Sequence, residues 1–110
     1  AIEAAFLAER RPITHGEAVA HGIMVESFIS NQKGMLDEAA LEDICDFLNV
    51  IFGQIELPKA EILIQIMYQD KKNRGNKILM ALIAKIGQVK WDVEVSEKEI
   101  NQSLAHYHSL

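Results

Sequence analysis

Along most of this chain apolar positions recur every three or four residues, the spacing of a helix buried on one face. Residues 1–9, AIEAAFLAE, read as helix and run into Arg10-Arg11-Pro12. Proline disfavours helical geometry in the residue before it, so a turn is predicted there. Thr14 is suited to cap a second helix, and Glu17 stands at the capping-box spacing. Val19, Ile23, Met24, Phe28 and Ile29 carry that helix from His15 to about Lys33, with Gly34 as its terminator. Asp37 opens a third, carried by Ala40, Leu41, Ile44, Cys45, Leu48, Ile51 and Phe52 and ended by Gly53. Pro58 fits the first turn of a fourth, which continues through Ile62, Ile66 and Met67 to Gln69.

The pattern then changes. Residues 70–77, Asp-Lys-Lys-Asn-Arg-Gly-Asn-Lys, are polar and read as a loop. Ile78 to Ile86 is an unbroken apolar run closed by Gly87, and Val89, Trp91, Val93 and Val95 alternate with polar residues. Alternation is strand spacing, so a β-hairpin is predicted; the Leu, Met and Ala content of the first limb leaves helix open for it. Ser96 and Glu99 form a second capping box, opening a last helix expected to fray near His106. The fold class read from these elements is mainly α, a multihelical array with one short β-hairpin near residues 78–95. There are no internal repeats and no low-complexity segments.

Composition narrows the function classes. A chain of 110 residues is one domain at most and, with 49% hydrophobic residues, can bury a modest core. The single cysteine excludes a disulfide framework within the chain and fits a reducing compartment. No apolar run is long enough to span a bilayer, and the first residues lack the basic start of a signal peptide. A net charge of −5 argues against nucleic acid and anionic membrane as partners. A cytoplasmic protein is expected. Residue 1 is alanine and opens on mid-helix sequence with no capping residue before it, so the chain is expected to be part of a larger protein.

Two places could carry chemistry. His15 stands at a helix start beside Gly16, which leaves room for a ligand, and neutral imidazole is a common zinc ligand. The plainer reading is a solvated histidine. One histidine cannot complete a zinc site, Glu17 is too close in sequence to share its direction, and His21 lies well around the helix. His106 and His108 are expected in a loose tail, and no His-Glu-x-x-His motif is present. The other place is Lys71, Lys72, Arg74 and Lys77 around Gly75, where cations can meet a phosphate; a solvated turn is the alternative. Cys45 lies on an apolar helix face and reads as a core residue. Neither an esterase elbow nor a glycine-rich nucleotide fingerprint is present.

Together these places resemble the 3-dehydroquinate synthase family. His15-Gly16-Glu17-Ala18-Val19-Ala20 followed by Gly22-Ile23-Met24 is similar to the family's HGEAVAxGM stretch. Asp70-Lys71-Lys72 with Gly75, then the apolar run to Ile86-Gly87, matches its DKK segment, strand and turn in the same order. The resemblance implies a helical metal- and substrate-binding domain over residues 1–110, partnered by a missing N-terminal NAD-binding domain. It implies conversion of 3-deoxy-arabino-heptulosonate 7-phosphate to 3-dehydroquinate with loss of phosphate, a lyase step of the shikimate route to aromatic amino acids. NAD and one divalent metal, zinc or cobalt, would serve the full-length enzyme and not bind stably to this chain, which by the resemblance holds no catalytic residue and is expected to be inactive alone. By the same resemblance His15 is a metal ligand and contacts substrate, and Lys71 or Lys72 contacts the phosphorylated substrate. The remaining ligands, a glutamate and a histidine, would lie upstream, the histidine in a GHxxGH motif that in the family is usually followed directly by Ala-x-Glu, here Ala1-Ile2-Glu3. A homodimer is possible within the family. His21, where an apolar residue is common, and a long stretch from Glu3 to Thr14 depart from the pattern. Alternatives are a related sugar-phosphate cyclase, a metal-dependent alcohol dehydrogenase half, or a non-catalytic helical interaction module. With its partner surface exposed, Ile2, Phe6 and Leu7 would be left partly uncovered.

Overall fold

The computed structural model of the chain describes residues 2–69, 77–85 and 87–109. Five helices and one hairpin follow in the order α1 (Ile2–Ala8), α2 (His15–Gln32), α3 (Glu38–Phe52), α4 (Ala60–Gln69), β1 (Ile78–Lys85), β2 (Gln88–Val95) and α5 (Glu97–Ser109). The multihelical array with a hairpin expected from the sequence is the architecture observed.

The helix boundaries follow local chemistry. Thr14 Oγ1 accepts from the Glu17 amide at 3.1 Å, and the Glu17 carboxylate accepts from the Thr14 amide at 3.1 Å. Asp37 caps α3 by accepting from the Ala40 amide at 2.8 Å. The Ser96–Glu99 box opens α5 in the same reciprocal way, at 3.0 and 3.1 Å. Each such cap contributes about 1 kcal/mol by satisfying amides that the first turn leaves unpaired. Gly34 (φ 79°) and Gly53 (φ 71°) terminate α2 and α3 in the left-handed region that glycine enters without strain. Pro58 differs from expectation by a short shift. Helical bonding starts at the Lys59 carbonyl, so proline stands just outside the first turn.

The second helix is the centre of the array, packed against α1, α3, α5 and β1. Being surrounded, it buries residues on several faces, among them Ala18, Ala20, Met24, Ile29 and the two serines Ser27 and Ser30. Small side chains let its neighbours approach closely, and the Ser30 hydroxyl donates to the Ile83 carbonyl of β1. Val19, expected on the buried stripe, is exposed, and so is Ile51 of α3. On α1, Ile2 and Phe6 are buried after all, and only Leu7 is uncovered, at 78% exposure.

The strands pair antiparallel, with Ile78 opposite Val95 and Met80 opposite Val93. The register slips between Met80 and Leu82, where Leu82 faces Lys90 and Asp92 takes φ 53°. That bulge reverses the alternation read from the sequence. Val93 and Val95 keep the inner face, Val89 pairs with Ile83 on the other, and Trp91 projects at 75% exposure.

The end of the chain is also a correction. The last helix does not fray near His106 but continues to Ser109, and its tail is docked. Tyr107 is buried, His106 stacks on Phe28 with ring centroids 4.1 Å apart, and His108 Nε2 accepts from the Leu57 amide at 3.3 Å. Cys45 is a buried core thiol as expected, its pKa raised by burial and then by Asp46.

Candidate metal- and substrate-binding cleft

His15 is the first residue of α2, so the Thr14 cap sets where its backbone starts. Its side chain is 80% exposed, and Nδ1 lies 3.4 Å from Glu3 Oε1 on α1. The turn between the two helices brings that carboxylate across. Arg10 adopts φ 58°, and the Arg11 amide donates to the Phe6 carbonyl at 2.9 Å. The Arg11 guanidinium lies 4.4 Å over the Phe6 ring, bonds Glu9, and donates to the Glu56 carbonyl at 2.8 Å. Glu9 also accepts from the Lys59 amide at 3.3 Å, tying the end of α1 to the start of α4. Farther along, Ile2 Cδ1 stands 3.7 Å from where a Cβ on Gly22 would lie, so glycine gives α1 close seating on α2.

A cleft of about 740 Å³ opens beside this seam. One wall is the α2 stripe His15, Val19, Gly22 and Glu26, with Glu3 of α1 above it. The other is apolar, from Leu63 and Ile66 of α4, Ile78 and Met80 of β1, and Leu104 of α5. Glu26 is partly buried there, and burial raises its carboxyl pKa to about 7. Among the described residues none donates a hydrogen bond to it. Glu17 does not face the site as an acid, because its carboxylate is held by Thr14, which lowers its pKa.

The sequence-predicted residues separate. His15 lines the cleft. Lys71, Lys72 and Arg74 lie outside the described residues, but Gln69 and Ile78, on either side of that segment, both line the same cleft. Lys77 is exposed, with Nζ 4.0 Å from Glu94. His21 belongs to the core instead. It is fully buried, accepts at Nδ1 from the Tyr107 hydroxyl at 2.9 Å, and has its pKa lowered by burial, with Glu17 opposing. Sequence reasoning missed Glu26, and it met Glu3 only as the end of the Ala-x-Glu that resembles the family, with no role at the site. The spacing of Glu26 eleven residues after His15, three helical turns, carries a signal for it, since both then share one face. For Glu3 no spacing gives the contact with His15, because that neighbour comes from another helix.

Among the described residues, no three His, Cys, Asp or Glu side chains gather to hold a metal ion. His15 therefore supplies one donor from this chain. No helix among the described residues is long and apolar enough to cross a membrane.

The family model for the 3-dehydroquinate synthase C-terminal domain matches residues 1–73. A 3-dehydroquinate synthase of Coxiella burnetii is 32% identical over 93 residues, 82% of this chain and 26% of that protein. One from Parabacteroides distasonis is 28% identical over 109 residues, 97% of this chain and 31% of that protein. The chain thus spans roughly a quarter to a third of the length of these relatives. Among solved structures, the 2-epi-5-epi-valiolone synthase of Streptomyces hygroscopicus subsp. jinggangensis 5008, a structure with NAD+ and Zn2+ bound, superimposes with a TM-score of 0.73. It is 23% identical, and the match covers 88% of this chain and 28% of that one, which establishes a shared fold. By the family match over residues 1–73 and the relatives that bear it out, this chain belongs to the 3-dehydroquinate synthase C-terminal family.

Proposed function

We propose that this chain is the metal- and substrate-binding part of a 3-dehydroquinate synthase, a cytoplasmic lyase that works with an NAD-binding domain supplied by the rest of the polypeptide. The observation that carries the reading is one cleft bordered both by His15 and by the two ends of the lysine segment, Gln69 and Ile78. These border the two parts of the sequence that resemble the family: His15 belongs to the first, and Gln69 and Ile78 flank the second.

His15 fits a metal ligand in its donor type and setting. It is exposed at the cleft, with a carboxylate behind one ring nitrogen, the arrangement that orients metal-binding histidines. A divalent metal bound there would act as a Lewis acid on a substrate hydroxyl. Lys71 and Lys72 would hold the phosphate, whose charge they match, and the apolar far wall would keep water from the ring-forming carbons. The further metal ligands and the nicotinamide site would come from outside this chain, which is then inactive by itself.

In the intact enzyme His15→Ala is expected to remove bound zinc and turnover together, as metal analysis beside a phosphate-release assay will show. Tight 1:1 zinc binding by the 110-residue chain alone, lost in His15→Ala, contradicts the reading, because it requires a complete local site. Lys71→Ala or Lys72→Ala is expected to lower kcat/KM by roughly ten- to a hundred-fold, since a charge-assisted hydrogen bond is worth about 1.5–3 kcal/mol. Wild-type kinetics in both variants remove the phosphate role.

The fold likeness to a 2-epi-5-epi-valiolone synthase supports a second reading, a related sugar-phosphate cyclase. Phosphate release from a different sugar phosphate, with none from 3-deoxy-arabino-heptulosonate 7-phosphate, would favour this second reading. Turnover of a simple alcohol without phosphate release points instead to a dehydrogenase.

A further inference from the structure

A neutral imidazole has one protonated nitrogen and one bare nitrogen, and only the bare one can bind a metal. Unrestrained histidine in water carries its proton mainly on Nε2, which leaves Nδ1 bare. At His15 the geometry favours the reverse. Glu3 Oε1 lies 3.4 Å from Nδ1, and an ionised carboxylate can only accept. The contact requires the proton on Nδ1, donated to Glu3, and leaves the lone pair on Nε2. Among the described residues nothing pairs with Nε2 of this ring.

The carboxylate is held in place by its helix. Ile2, the preceding residue, is buried against Gly22, and Phe6, one turn on, is buried under Arg11. Both anchors lie on α1, whereas His15 opens α2, so the contact spans twelve residues and depends on how the two helices seat. Glu3 and His15 also line the same cleft.

We propose that Glu3 is the positioning residue of His15, fixing the tautomer that presents Nε2 to a divalent cation. This rests on His15 being a metal ligand, and the experiment separates the two ideas. Nitrogen-15 two-bond imidazole spectra of the chain, at about pH 8 where histidine is neutral, report the tautomer directly. The expected result is a dominant Nδ1–H form in the native chain, a change to Nε2–H in Glu3→Ala, and retention of Nδ1–H in Glu3→Gln, whose amide oxygen still accepts. Glu3 is exposed, so neither variant threatens the core. An identical tautomer in all three proteins overturns the proposal. The second readout is zinc affinity of the intact two-domain protein. Loss of a partner behind a ligand costs about 10–100-fold, so Glu3→Ala should weaken zinc by that factor and Glu3→Gln by less. A tautomer change with unaltered zinc affinity in Glu3→Ala overturns the positioning role. Unaltered zinc affinity in His15→Ala overturns the metal-ligand reading, and with it the cation for which Glu3 is proposed to prepare the ring.

Discussion

Glu26→Gln is expected to stabilise the chain at about pH 8 by about 3 kcal/mol and to leave its stability at about pH 4 nearly unchanged. Burial in the cleft wall raises the Glu26 carboxyl from 4.5 to about 7. The folded state therefore holds the proton more tightly than the unfolded state. Between these two values the folded chain binds more protons, so its stability falls as pH rises from 4.5 through about 7. Above that range the loss is complete, because the charged carboxylate gives up part of its hydration in the cleft wall with no described donor in exchange. Glutamine keeps the shape and removes the charge. Urea unfolding midpoints of both proteins across this pH range will give the difference, and parallel curves for the two proteins would show that the carboxyl is solvated in the folded chain.

Tyr107→Phe is expected to cost about 2–4 kcal/mol although it removes a single oxygen. The Tyr107 hydroxyl donates to His21 Nδ1 at 2.9 Å and accepts from the Ile55 amide at 3.1 Å. Phenylalanine would keep the packing and leave the His21 nitrogen unpaired in the core, at about 1–3 kcal/mol, and the part-buried Ile55 amide unpaired at the lower end of that range, about 1 kcal/mol. That is a large share of the net stability of a small domain. The same cluster makes an acid limb. Burial lowers the His21 pKa below its ordinary 6.5, with Glu17 opposing, so the unfolded chain takes up a proton that the folded one resists. Stability is present above 6.5 and is lost as pH falls below it. His21→Leu should flatten that limb, as thermal melts at descending pH will show. With Glu26 acting in the opposite direction, the chain should be most stable at mildly acidic pH.

How much of this was legible beforehand depends on the range of the interactions involved. The five helices, their caps at Thr14, Asp37 and Ser96, and the stops at Gly34 and Gly53 follow from contacts within a few residues. The hairpin follows from the polar break before it and the alternation within it. His15 and the lysine segment were legible as candidates because a motif keeps its residues together in sequence. Val19 and Ile51 fitted the apolar stripes but are exposed, since a stripe says that a helix has a buried face and not where its neighbours end.

What the sequence determined by itself was therefore local: backbone conformation, caps, breakers and the identity of a reactive candidate, all set by short-range sterics and hydrogen bonding. The tertiary structure alone decided the rest. It docked the polar-looking tail through Tyr107 and turned His21 from a misplaced residue into the partner of that tyrosine. It reversed the alternation of β2 at the Asp92 bulge, which depends on pairing with another strand. It set Glu3 behind His15 and sank Glu26 into the cleft. Those outcomes depend on which surfaces meet, and the same helix sequence can bury different residues according to what packs against it.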